Sequence, residues 1–71
     1  MKLYITFGQA HAHSVNNKTF DKDSVAAIEC DSYEHGRDTA FELFGDKFAF
    51  SHTEKEIIDK LHYFPRGIME V

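Results

Sequence analysis

Tryptophan is absent from this 71-residue chain, and cysteine and proline occur once each. A lone cysteine excludes an intrachain disulfide, so nothing in the sequence calls for an oxidising compartment. Cys30 also sits in an apolar, strand-like run, where a thiol behaves as a small core residue and not as a nucleophile. No apolar run approaches the ~20 residues of a membrane-spanning helix. The opening Met1–Phe7 is too short and too strand-like for a secretory signal. Basic side chains are scarce: 8 Lys and Arg stand against 12 Asp and Glu, for a net charge of −4. That balance works against non-specific nucleic-acid binding, which needs a basic surface. It suits a basic partner, for which complementary charge improves on-rate and specificity. The expectation is a cytoplasmic protein that contacts neither membrane nor nucleic acid.

What is present is a folded core. Apolar residues make up 42% of the chain, with seven Phe and three Tyr, a composition that argues against disorder. A chain this short buries only about 60% of its unfolded surface, so one domain over residues 1–71, and a marginally stable one, is expected.

Leu3, Ile5 and Phe7 alternate with Tyr4 and Thr6, the period of a half-buried strand. Gly8 ends the pattern. Residues 9–23 are polar, with Asn16-Asn17-Lys18 as a turn and Phe20 tucked beneath this loop beside Asp21 and Asp23. Ser24–Cys30 is apolar on both sides, which predicts a central strand. Asp31 and Glu34 have the spacing of a capping box. The following helix places Tyr33, Arg37, Ala40, Phe41 and Phe44 on one face and Glu34, Asp38 and Glu42 on the other. Gly36 costs that helix about 1 kcal/mol, for which close approach to the sheet is the compensation, and Gly45 is placed to end it. Lys47–His52 predicts a third strand with Phe48 and Phe50 on one face. Thr53 and Glu56 predict a second capped helix over 54–63, stopped before Pro65, and residues 67–71 a short closing strand. The order β-β-α-β-α-β predicts a small α+β sandwich, with a mainly antiparallel sheet and the first helix packed on one face.

Five histidines are a heavy load for this length. His11 and His13 would share a side of an extended segment, and Asp21, Asp23 or His52 offers a third ligand. His11, His13 and His52 are therefore weak metal candidates, for no Cys pair, His-Glu-x-x-His run or calcium loop accompanies them. Ser14, Ser24, Ser32 and Ser51 lack a nucleophile-elbow context, and no carboxylate pair is singled out by its spacing, so no catalytic residue, enzyme activity or cofactor is expected. Gly8 with Gln9, His11 and His13 forms a polar strand end suited to a small ligand such as a nucleotide, although basic residues to hold its phosphate are sparse, with Lys47 and Arg66 as candidates. Tyr63-Phe-Pro-Arg-Gly67 is the second candidate contact site, since Tyr and Arg are enriched in interface hot spots. An edge strand also allows a homodimer.

Three segments carry a resemblance: Ile5-Thr-Phe-Gly-Gln-Ala-His11, Ala40-Phe-Glu-Leu-Phe-Gly-Asp-Lys-Phe-Ala-Phe50 and Tyr63-Phe-Pro-Arg-Gly67. Together they resemble a family of small bacteriophage proteins of unestablished activity. Its members open with a Thr-Phe-Gly-Gln strand followed by His and later carry a Phe-Gly-x-Lys/Arg-x-Ala/Cys-Phe element. His13 lies beyond that pattern. The resemblance implies phage origin and residence in the host cytoplasm, and supplies no catalytic residues. Taken with size and charge, it points to an accessory protein that binds, and inhibits, a host or anti-phage defence protein through an acidic surface, at Gln9, His11, His13, Tyr63 or Arg66. A ligand- or metal-binding domain built on Gln9, His11 and His13 is the alternative.

Overall fold

Strand β1 (Lys2–Phe7) is buried along five consecutive residues, because both faces of the sheet around it are covered. The computed structural model describes residues 1–8, 12–15, 17–45 and 48–71, apart from the side chain of Ala49. After β1 come a short hairpin of β2 (His13–Val15) and β3 (Lys18–Phe20), then β4 (Ser24–Glu29) and α1 (Tyr33–Phe44). The chain continues through β5 (Phe48–His52), α2 (Glu54–Ile58), a 3-10 turn (Leu61–Tyr63) and β6 (Gly67–Glu70). The main sheet has the order β5-β1-β4-β6. Its first three strands are antiparallel neighbours, and β6 joins β4 in parallel. This is the expected small α+β fold, with a helix packed on one face of a mainly antiparallel sheet. The β2–β3 hairpin is an addition to the predicted order, and its turn brings Asn17 to a positive φ of 65°. Asn16, the other half of the expected turn, lies outside the described residues.

The first face of the sheet carries Leu3, Ile5, Phe7, Ala26, Ile28 and Cys30, which pack against Ala40 and Phe44 of α1 and against Phe20. The contact depends on Gly36. A Cβ there would lie 2.8 Å from Leu3 Cδ2 and 2.9 Å from Cys30 Sγ, so the helix backbone rests directly on the sheet. The buried stripe of α1 is therefore Gly36, Ala40 and Phe44. Tyr33, Arg37 and Phe41, expected on that stripe, instead run exposed along the flank of the helix. The small residues mark where the helix touches the sheet, and the large ones fall to its side. The N-cap is Ser32, one residue after the expected Asp31. Its Oγ accepts from the His35 N–H at 3.1 Å, while His35 Nδ1 accepts from the Asp31 N–H at 3.1 Å. Gly45 ends the helix at φ 65° and ψ −138°, a conformation open to glycine alone, with its N–H donating to Phe41 O at 2.9 Å.

The second face carries Tyr4, Val25 and Ala27, covered by Ile57 of α2 and by Phe64. The second helix is shorter than predicted: α2 ends at Ile58, and the chain tightens into a 3-10 turn at Leu61–Tyr63. Its start is as expected, with the Glu56 carboxylate accepting from the Thr53 N–H at 3.0 Å. In β5 the register slips by one residue between Thr6 and Phe7, so Phe50 faces Thr6 while Phe48 faces Phe7. Thr6 and Phe7 point to opposite sides of β1. Phe48 and Phe50, expected on one face, are thus divided between the two faces by a bulge.

Replacing Gly36 with Ala should destabilise the fold by about 1–3 kcal/mol in urea unfolding, because overpacking outweighs the gain in helix propensity. Gly8→Ala is the control, since among the described residues a Cβ there meets nothing within 4 Å, and should leave the urea midpoint nearly unchanged.

Candidate functional site

Of the loop candidates, Gln9 and His11 lie outside the described residues, as does Lys47. His13 opens β2 opposite Phe20. Its ring is half-buried and stands 5.4 Å from the Phe7 ring and 5.8 Å from that of Phe44. Phe7, Phe20 and Phe44 themselves pack with centroids 4.9–5.8 Å apart, so the imidazole is the fourth ring of an aromatic cluster closing the end of the first core. His52 pairs in register with Tyr4, and its Nε2 lies 3.4 Å from Thr6 Oγ1. It belongs to the second face of the sheet. His13 and His52 are therefore separated by the sheet itself and cannot share one ion. Among the described residues no group of three or more His, Cys, Asp or Glu side chains is placed to hold a metal, and no pocket forms.

The aspartates that follow Phe20 have a structural task. Asp21 Oδ1 accepts from the Asp23 N–H at 3.0 Å, and Asp21 Oδ2 accepts from Arg66 at 2.8 Å. The Ser24 Oγ accepts from the Asp21 N–H at 2.8 Å, and the Arg66 N–H donates to Asp23 O at 2.9 Å. Arg66, read from the sequence as a contact residue, thus clamps the start of β6 to the turn that enters β4. The Asp23 N–H and the Arg66 guanidinium hold the Asp21 carboxyl below the usual aspartate range.

The segment Tyr63–Gly67 is accordingly divided. Phe64 is packed and Arg66 is engaged, whereas Tyr63 is 66% exposed and stacks on His62 at 4.0 Å. Tyr63, Pro65 and Arg66 are the parts of this candidate site that face solvent. Beyond it, the described surface has two further features. Glu34, Asp38 and Glu42 are exposed along one line of α1, and among the described residues none of them joins an ion pair. The sequence spacing alone shows that stripe. The other feature is the aromatic margin of β5, where Tyr33, Phe41 and Phe50 are exposed. Sequence periodicity places all three rings on predicted apolar faces, so the margin appears only once the helix is seated on Gly36 and the bulge sets Phe50 apart from Phe48.

Because folding lowers the Asp21 pKa, its contribution is present above the unfolded-state value and is lost as pH falls through the folded one. Chemical unfolding between pH 7 and pH 2 should show a loss of stability below about pH 4. In Asp21→Asn that acid-limb slope should be shallower, and stability at pH 7 lower.

Comparison with protein-family models, with curated proteins and with solved structures found no match.

Proposed function

We propose that this chain is a small, non-enzymatic accessory protein of bacteriophage origin that binds and inhibits a basic surface of a host or anti-phage defence protein. The contact is made by the acidic line of α1, and the site of action is the host cytoplasm. The observation that carries this reading is the arrangement of Glu34, Asp38 and Glu42. They are spaced i, i+4, i+8, where like charges cost an exposed helix about 0.2–0.5 kcal/mol per pair. Glu42 also lies in the last turn, where the helix dipole disfavours an anion, and no basic residue occupies that turn. The helix has a cation nearby, but Arg37 lies over the Phe41 ring, 5.8 Å from its centroid. Glu34 sits in the first turn, where the dipole favours it, so the cost falls on Asp38 and Glu42, and that end of the line is well suited to a partner that neutralises it.

Exposed charge of one sign on a rigid helix gives fast, salt-sensitive association. The resemblance to small phage proteins supports the origin and the accessory role. The reading built on Gln9, His11 and His13 has less support, since the imidazole of His13 is occupied in the aromatic cluster.

The double substitution Asp38→Lys with Glu42→Lys separates binding from folding. It should raise stability by a few tenths of a kcal/mol and lower capture of the bacterial partner by at least about tenfold. Wild-type capture should also fall steeply with added salt. Retention of the same partner by the double variant, or repeated capture of nothing specific by the wild type, would overturn the reading.

A further inference from the structure

The two edges of the main sheet are unlike. On β6, the Lys18 ammonium reaches from the β2–β3 hairpin to the Glu70 carbonyl, and Lys2 pairs with the Glu70 carboxylate. Charge at a strand edge is the usual protection against pairing with another chain. On β5, the sequence Phe-Ala-Phe-Ser-His contains no proline, lysine or carboxylate. Aromatic rings border this edge on both faces of the sheet. Phe50 stands on the second face, 67% exposed, and Phe41 on the first, 46% exposed with its ring 5.1 Å from Phe48. Tyr33, 40% exposed, donates to or accepts from Ser51 Oγ at 2.7 Å.

We propose that β5 is a self-association edge, on which a second copy of this chain adds its own β5 in antiparallel fashion to make a continuous eight-stranded sheet about a twofold axis. Three properties select a second copy as the occupant. First, the strand has no formal carboxylate or ammonium, so two identical edges meet without like-charge repulsion despite the net charge of −4. Second, β5 has five residues and is regular against β1 from Phe50 to His52. An antiparallel register centred there sets each Phe50 against Phe50 or His52 of its symmetry mate, a pairing complementary to itself as a twofold axis requires. Third, the area is of the right order. The exposed parts of Tyr33, Phe41 and Phe50 come to roughly 300 Å² per copy if each ring offers about 200 Å². Two copies then supply about half of the ~1,200 Å² at which specific interfaces begin, and strand backbone and neighbouring side chains supply the remainder. The bulge beside Phe48 limits the paired stretch, so the rings, more than the backbone bonds, hold the dimer. Phe50 is the ring with most to bury.

Sedimentation equilibrium of the purified chain tests this without any bacterial partner, so its failure leaves the proposed host binding standing. The wild type should approach twice its 8.2 kDa mass at high micromolar concentration. Phe50→Lys should stay monomeric with an unchanged far-UV spectrum, whereas Ile68→Lys, on the protected edge, should still dimerise. A wild type that is monomeric throughout, a dimeric Phe50→Lys, or a monomeric Ile68→Lys would each overturn the proposal. If Phe50→Lys fails to fold, hydrogen exchange on the wild type decides. The amides of β5 must gain protection as concentration rises, and equal exchange at low and high concentration would refute the pairing.

Discussion

The direct seating of α1 on the sheet at Gly36 is the contact from which most of the architecture follows. With no Cβ between helix and strands, Leu3 and Cys30 meet the helix backbone itself, and the first core is thin enough for a chain of this size to fill. Ala40 continues the close contact, and Phe44 then wedges open the far end, where Phe7, Phe20 and His13 gather around it. The same seating fixes the rotation of the helix. Once Gly36 and Ala40 face inward, Tyr33, Arg37 and Phe41 must lie along the β5 flank, and Glu34, Asp38 and Glu42 must point outward. One glycine thus decides what α1 offers to solvent.

Much of this scaffold is legible in the amino-acid sequence, because its elements obey local rules. The alternation in β1, the two-sided apolarity of β4, the glycine inside α1 and the Thr53–Glu56 cap each report a nearby physical requirement. What is hidden depends on relations between distant segments. The bulge that parts Phe48 from Phe50 arises from the match of β5 to β1, and no period within β5 announces it. Arg66 is exposed, as its sequence suggests, but its clamp on Asp21 shows only when the fold brings the two together. The β2–β3 hairpin is three residues on each side, too short to show a period. The candidate site is less legible than the fold for a related reason. Histidine suits a ligand, a cap and an aromatic stack equally well, and His13, His35 and His52 take up different tasks according to what surrounds them.

The helix α1 is the element on which buried, charged and aromatic surfaces converge. Its inward line is small and apolar, its outward line acidic, and its flank aromatic with a single arginine lying over Phe41. These lines are separated by roughly 100° steps of the helix, so the three surfaces stay distinct on only twelve residues. The second face of the sheet is finished more economically, by Ile57 and Phe64 from a five-residue helix and the turn beyond it.

The position of β1 has a kinetic consequence. Both of its neighbours, β4 and β5, come later in the chain and from well-separated segments, and α1 lies between them. The first strand must therefore wait, with both of its hydrogen-bonding edges open, while the β1–β4 connection closes on one side and the segment that contains α1 closes on the other. Such non-local pairing slows folding relative to helical bundles of similar length. Formation of α1 shortens the path, since a formed helix brings the start of β5 back towards the sheet that β1 and β4 have begun. Residues that nucleate this helix, Ser32 and His35 at its cap, thereby affect how long the central strand of the molecule stands unpaired.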